Sequence, residues 1–138
     1  MQRLRLLGIG LAAVSLVGAT ACSGGGAAAM TTTPASVAAT RPDGAQQITL
    51  TVGNNMSFDP SMITLHAGQP VELLLHNDGF LPHDFTLTDG VSQPVKITAA
   101  GGQTSSATFS VDSPGTYSFV CSMPGHAAAG MRGTIVAQ

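Results

Sequence analysis

Apolar and polar residues alternate in short stretches from about residue 47 to the last residue of the chain. Within 48–52, for example, an isoleucine, a leucine and a valine are separated by threonines. A two-residue period is typical of strands that bury one face. We predict eight strands, at 48–52, 62–65, 70–76, 84–88, 95–97, 105–111, 115–120 and 134–136.

Turn residues lie between these predicted strands, and no segment with a helical period interrupts them. Glycine, proline, asparagine and aspartate recur at intervals of roughly ten residues, a spacing typical of sandwiches. Residues 47–138 are also long enough to enclose one core between two sheets. They therefore predict a single all-β domain, a Greek-key β-sandwich of seven or eight strands.

The first residues of the chain have the pattern of a secretory signal. Arg3 and Arg5 precede an uncharged apolar run over 6–17, and small residues follow at 18–21. The run is about 12 residues long, whereas a membrane-spanning helix needs roughly 20, so it predicts a cleaved signal peptide at 1–21. A short buried helix is the alternative interpretation.

Cys22 directly follows the predicted cleavage site and precedes Ser23 and three glycines. This resembles a bacterial lipoprotein site, at which the cysteine is acylated and becomes the new N-terminus. Ala19 to Ala21 also fits the small-x-small rule of ordinary secretion, so free export is the alternative. We favour a lipid on Cys22, with residues 22–46, rich in Gly, Ala, Thr, Ser and Pro, as a flexible linker to the membrane.

The charge balance excludes a nucleic-acid-binding role. The chain has five basic and seven acidic residues, and loss of the two arginines of the signal leaves a formal charge of −4. No basic patch is present that would neutralise phosphates. Charged residues make up only 9% of the chain, so docking to a partner should not depend mainly on salt bridges.

Cys121 is one of only two cysteines. If Cys22 carries a lipid, Cys121 has no disulfide partner, and a Cys22–Cys121 disulfide is the alternative. An unpaired thiol in an oxidising compartment is unusual, and a metal ion is a common way of protecting it.

The spacing of residues after Cys121 also indicates a metal site. His126 comes five positions later and Met131 five positions after that. A thiolate, an imidazole and a thioether together suit copper in both oxidation states. A trigonal site needs a second imidazole, and His83 is the candidate because two strand ends of a sandwich can meet at one pole.

The segment that runs from Cys121 to Met131 and four other segments resemble those of a known family. The segments are 83–85, 117–121, 121–131, 58–60 and 68–71. They are similar to those of the cupredoxins, the blue copper proteins that include plastocyanin, azurin and auracyanin. The resemblance covers residues 47–138 and implies a cupredoxin-like sandwich. It also implies a type 1 site for one copper ion, with His83, Cys121 and His126 as equatorial ligands and Met131 as a weak axial ligand.

The same resemblance implies a one-electron carrier rather than an enzyme, in the periplasm or on the outer face of the cell membrane. Redox proteins would dock near His126, on the small and apolar loop 124–129, because an exposed apolar patch usually marks a partner surface. We expect a monomer. A copper-binding or copper-delivery protein of the envelope is the alternative, although the scattered methionines form no cluster suited to exchanging metal.

Asp84 is one departure from the family pattern, which often has asparagine after the first histidine ligand. Its side chain can accept a hydrogen bond from the hydroxyl or the amide of Ser122. We therefore expect it to brace the loop that follows Cys121, as the family's asparagine does. A negative charge so near the copper is expected to lower the reduction potential.

Overall fold

The computed structural model describes residues 35–138, and all the regular structure in this part of the chain is β. The strands are β1 (Ser36–Val37), β2 (Ala39–Thr40), β3 (Gln46–Val52), β4 (Phe58–Asp59), β5 (Met62–Leu65), β6 (Pro70–Asn77), β7 (His83–Leu87), β8 (Val95–Ala99), β9 (Thr104–Ser110), β10 (Gly115–Val120) and β11 (Arg132–Ala137). Within these residues no helix has the length and apolarity needed to cross a membrane. The predicted signal peptide and most of the predicted linker lie outside the described residues.

The strands form two sheets, with orders β1-β5-β11-β10-β7-β8 and β2-β3-β6-β9; β4 pairs with β3. The pairs β3–β6 and β5–β11 are parallel, whereas β6–β9, β10–β11 and β7–β8 are antiparallel. Each of the eight predicted strands is found, within about two residues of its predicted bounds. The predicted all-β sandwich is confirmed.

Alternation along the strands creates the core. In β3, the side chains of Ile48, Leu50 and Val52 are buried at 0–3% exposure while Thr49 points outward. β6 and β7 bury their alternate apolar residues in the same way, so the two sheets meet through apolar faces. Burying one face of each sheet against the other is the main source of stability in such a fold.

Phe119 lies at the centre of an aromatic cluster in this core. Its ring centroid is 4.9 Å from that of Phe85 and 5.0 Å from that of Phe58, and Phe109 stacks on Phe85 at 6.0 Å. Gly133 faces Phe119 across the β10–β11 pair, and a Cβ at this position would overlap the phenyl ring. The cluster therefore depends on a glycine in β11, and it lies just inside the end of β10.

The structure differs from the predicted linker over residues 36–40. β1 pairs in parallel with Ile63 and Thr64 of one sheet, and β2 pairs with Gln46 and Gln47 of the other. Two-residue pairs gain backbone hydrogen bonds from strands that are already in place, so they need little apolar surface of their own. Composition alone therefore predicts too late a start for the ordered domain.

Three strand termini meet at one end of the sandwich. β7 begins at His83, β10 ends one residue before Cys121, and β11 begins one residue after Met131. Because β10 is antiparallel to both β7 and β11, these three termini point to the same end. We call this end the loop pole.

Candidate metal centre

Cys121 is fully buried at the loop pole, where the chain leaves β10. The amide N–H of Asp84 donates a hydrogen bond to its Sγ over 3.4 Å. The Cys121 amide in turn bonds to the carbonyl of Met131 over 3.1 Å. The backbone of Cys121 is thus held by the residue just before β11, and the amide dipole of Asp84 in β7 points at the sulfur, as it would at a thiolate.

His83 is fully buried at the start of β7. Neither of its ring nitrogens has a hydrogen-bond partner among the residues that the structure describes. Burial and then the nearby His126 lower the pKa of His83, against weaker opposing effects from Gly53 and Asp84. The imidazole is therefore held neutral, which leaves a nitrogen lone pair free for a metal.

His126 lies in the turn between Cys121 and β11 and is only partly buried. Its Nδ1 is 3.3 Å from Cys121 Sγ, and its ring centroid is 4.9 Å from that of His83. The backbone of this turn is tied by its own hydrogen bonds, among them His126 N–H to Met123 and Met131 N–H to His126. The histidine is thus presented to the buried pair by a fixed loop.

The three predicted equatorial ligands fit one metal ion. Their ligand atoms all lie within 4.8 Å of one another. Metal–nitrogen and metal–sulfur bonds are about 2.0–2.3 Å long, so one ion can reach all three. Two buried ring nitrogens without partners would be unfavourable, and ligation of His83 removes part of that penalty. Two imidazoles and a thiolate form the trigonal donor set that suits copper.

Met131 is fully buried beside this group. Its backbone bonds to both Cys121 and His126, over 3.1 Å and 3.0 Å. The residue is therefore fixed where the ligand loop closes. Its role as the axial ligand stays a prediction.

Asp84 braces the loop after the cysteine, as expected. Its carboxylate oxygens accept hydrogen bonds from the amide and the hydroxyl of Ser122, over 2.6 Å and 2.7 Å. Burial alone would raise the pKa of Asp84, but the two bonds from Ser122 and the nearby Lys96 outweigh it and hold the pKa below its usual value. The carboxylate is thus ionised, and two hydrogen bonds connect it to the loop after Cys121.

Sequence reasoning missed Lys96. Its Nζ lies 3.3 Å from Asp84 Oδ2 and 2.9 Å from Ser122 Oγ. In the β7–β8 register Lys96 faces Thr86, two residues from Asp84, so it lies diagonally across the strand pair from the carboxylate. Only the register reveals this contact, and no spacing in the sequence indicates it.

Asn77 is predicted from the sequence only as part of a turn, yet it shapes the loop before His83. Its buried side chain donates to the carbonyls of Leu81 and Ala99, over 2.7 Å and 3.1 Å, and accepts from the amide of Gly79. Phe80 is left 78% exposed at the tip of this loop. The loop that leads to a buried ligand thus also carries an outward-facing aromatic ring.

The comparisons with known proteins agree with this geometry. The model of the cupredoxin-like domain matches residues 25–137. The chain belongs to the cupredoxin-like family. The matched range of this cupredoxin begins before residue 47, which agrees with the strand pairing seen at 36–40.

Two relatives are similar to this cupredoxin over part of their length. The chain is 26% identical over 106 residues to the copper-resistant cuproprotein CopI of Rubrivivax gelatinosus, covering 64% of each chain. It is 50% identical over 34 residues to auracyanin-B of Chloroflexus aurantiacus, covering 25% of this chain and 14% of that one. The chain therefore spans less than two thirds of the length of either relative.

Solved structures share the fold. Auracyanin A, a blue copper protein from Chloroflexus aurantiacus, superposes with a TM-score of 0.63 at 24% identity, covering 69% of this chain and all of that one. The metal-binding domain of the Cu(I)-exporting ATPase CopA of Streptococcus pneumoniae D39, solved with Cu(I), gives 0.60 at 17% identity, covering 77% of this chain and 97% of that one. At these identities the likeness establishes the sandwich alone.

Proposed function

We propose that this cupredoxin carries single electrons through a type 1 copper site made by His83, Cys121, His126 and Met131. A bound copper would supply the chemistry by alternating between Cu(I) and Cu(II). The observation that supports the proposal is the burial of the ligands: Cys121 and His83 are fully buried, and only His126 is partly exposed. Such a site admits an electron far more readily than it exchanges an ion.

A carrier works best when its ligands move little between oxidation states. Here the Asp84 amide fixes the sulfur, and the carboxylate of Asp84 fixes the next residue, Ser122. Backbone hydrogen bonds close the turn that carries His126. Bonds of this kind around metal ligands set their orientation and tune the metal. The chain thus supplies a preformed donor set, which keeps reorganisation small.

The test combines a redox titration with a competition for copper. After Cu(II) is added, we expect an intense visible band from thiolate-to-copper charge transfer and reversible one-electron reduction. Copper loss to a Cu(I) chelator should take much longer than reduction. A colourless protein would contradict the type 1 site. Rapid loss of copper would instead favour the second candidate, a copper-delivery protein.

Copper delivery is supported by a specific observation, the similarity to CopI, whose name describes copper resistance. A delivery protein must expose its ligands to the acceptor, because the metal passes through shared coordination. Two of the three grouped ligands are fully buried here. We therefore place delivery second, and a catalytic role is not part of the proposal.

The loop pole is the proposed docking surface for redox partners. His126 is partly exposed, and exposed small residues follow it at 128–130. The loop that leads to His83 adds Phe80 and Leu81, which are 78% and 36% exposed. These side chains form an apolar patch around the accessible ligand, with the exposed cation Arg132 beside it. An apolar patch suits brief contacts, since it can be dehydrated at little electrostatic penalty.

Replacing Ala128 with glutamate should slow electron self-exchange between oxidised and reduced copies by about tenfold, because two added charges would face each other in the encounter. NMR line broadening of a partly oxidised sample measures this rate. The visible band should not change, since Ala128 is not a ligand. Gln93→Glu is the matched control, because Gln93 is exposed in the loop beyond the far end of β7. Equal rates for Ala128→Glu and Gln93→Glu would contradict docking at the loop pole.

We also propose export to the periplasm or the outer face of the cell membrane, with a lipid on Cys22. The sequence pattern of residues 1–22 supports this, and these residues lie outside the described part of the chain. Incorporation of labelled palmitate that disappears in Cys22→Ser would support the anchor. Equal labelling of both proteins, or none, would contradict it.

A further inference from the structure

Asp84 is an ionisable side chain with 0% exposure directly behind the candidate metal centre. Its neighbours within hydrogen-bond reach are all donors: the amide and hydroxyl of Ser122, the hydroxyl of Thr86 at 3.2 Å and the ammonium of Lys96. Hydrogen bonds alone leave a net charge in a poorly solvated place, and an isolated buried charge is strongly unfavourable. A compensating charge is therefore expected at Asp84.

Lys96 supplies that charge from the surface of the protein. Its side chain is 55% exposed, yet its Nζ reaches both Asp84 Oδ2 and Ser122 Oγ. An exposed ion pair is usually worth little, because water screens it. Here one partner is fully buried, so screening is weaker on that side, and the same ammonium also holds the residue after Cys121.

We propose that Lys96 is a positioning residue of the metal centre, which neutralises Asp84 and completes a closed brace of Asp84, Ser122 and Lys96 over the loop after Cys121. The brace keeps the geometry that a neutral asparagine would give, while the positive charge cancels much of the field of Asp84 at the metal. The expectation that Asp84 alone lowers the reduction potential is thereby revised. The part of this proposal that concerns the potential rests on the proposed function.

The first arm of the test uses the metal-free protein, so it does not depend on copper. Thermal unfolding and hydrogen exchange of the Ser122 amide are compared in wild type, Lys96→Met, Asp84→Asn and the double variant. When Asp84 is retained, Lys96→Met should lower the unfolding midpoint and speed hydrogen exchange of the Ser122 amide, because the buried carboxylate loses its counter-charge. In the Asp84→Asn background it should change both much less, because no buried charge remains to be compensated and only the exposed hydrogen bond from Lys96 to Ser122 is lost.

The second arm measures the reduction potential of the copper-loaded proteins. Lys96→Met should lower the potential, Asp84→Asn should raise it, and the double variant should return close to wild type. Lys96→Arg, which retains the charge, should stay near wild type. Arg132→Met is the matched control, since Arg132 is an exposed cation at the loop pole that bonds to the Ala127 carbonyl and not to Asp84. Its small shift should be the same in both Asp84 backgrounds.

The outcomes separate the two proposals. If Lys96→Met has the same effect with and without the Asp84 carboxylate in both arms, Lys96 is only a surface charge and the brace is refuted. If the protein takes up no copper, the carrier proposal fails, and coupling in the metal-free arm still decides the role of Lys96.

Discussion

Replacing Cys121 with serine should abolish the visible charge-transfer band and weaken copper binding by several orders of magnitude. A serine hydroxyl does not ionise near neutral pH, and a neutral oxygen is a poor ligand for Cu(I), which prefers soft donors. His83 and His126 would remain, so weak Cu(II) binding without blue colour is the expected remnant of the site. Absorption spectra and competition with a copper chelator measure both effects.

The other cysteine provides the control for this variant. Cys22→Ser removes the same chemical group elsewhere in the sequence and should leave the band unchanged. Burying a hydroxyl at this fully buried position costs about 1–3 kcal/mol of stability. Unfolding is therefore a competing explanation for loss of copper in Cys121→Ser. Thermal unfolding of the metal-free variant checks this. A Cys121→Ser protein that stays blue would exclude Cys121 as the ligand.

Replacing Gly133 with alanine should destabilise the metal-free protein by about 1–3 kcal/mol, typical of overpacking a core. The new methyl group would overlap the ring of Phe119, which cannot move freely because Phe58 and Phe85 pack against it. In a domain of this size, a loss of about 2 kcal/mol lowers the unfolding temperature by about 8–16 °C. Urea and thermal unfolding measure the change.

A double-variant comparison identifies the cause. Gly133→Ala should destabilise much less in a Phe119→Leu background, since the shorter side chain leaves room for the methyl group. Thr116→Ala, an exposed change on β10, should stay within about 0.5 kcal/mol of wild type. The same loss in both Phe119 backgrounds would mean that another contact causes the effect.

The main strands could be predicted because each buries one face and therefore alternates. β3 is the plainest case: the apolar residues that define the pattern, Ile48, Leu50 and Val52, are the ones that enter the core. β1, β2 and β4 could not be predicted, because two residues carry no period. They exist only through pairing with strands elsewhere in the chain, and the linker prediction failed at 36–40 for that reason.

Some residues of the candidate site could likewise be predicted from the sequence, and others could not. Cys121 and His126 were predicted because their donor types and spacing restrict the chemistry. His83 was predicted because a second imidazole was needed and strand ends can meet at one pole. The structure brings the ligand atoms of all three together. The Asp84–Ser122 contact was expected from the family resemblance. Lys96 was not found because its contact depends on the register of two paired strands, which no local pattern contains. Asn77 was not found because its contact to Ala99 joins strands of different sheets.

The placement of β1 and β2 has a consequence for aggregation. They add hydrogen-bonded backbone to the outermost strands on the same side of both sheets, β5 in one and β3 in the other. Unpaired strand edges are templates on which further chains can assemble. A chain trimmed to residue 47, as the sequence pattern alone would suggest, would uncover backbone on both sheets at once. Residues 36–40 thus leave each of these sheet edges with a two-residue outer strand, too short to offer much backbone to a neighbouring copy.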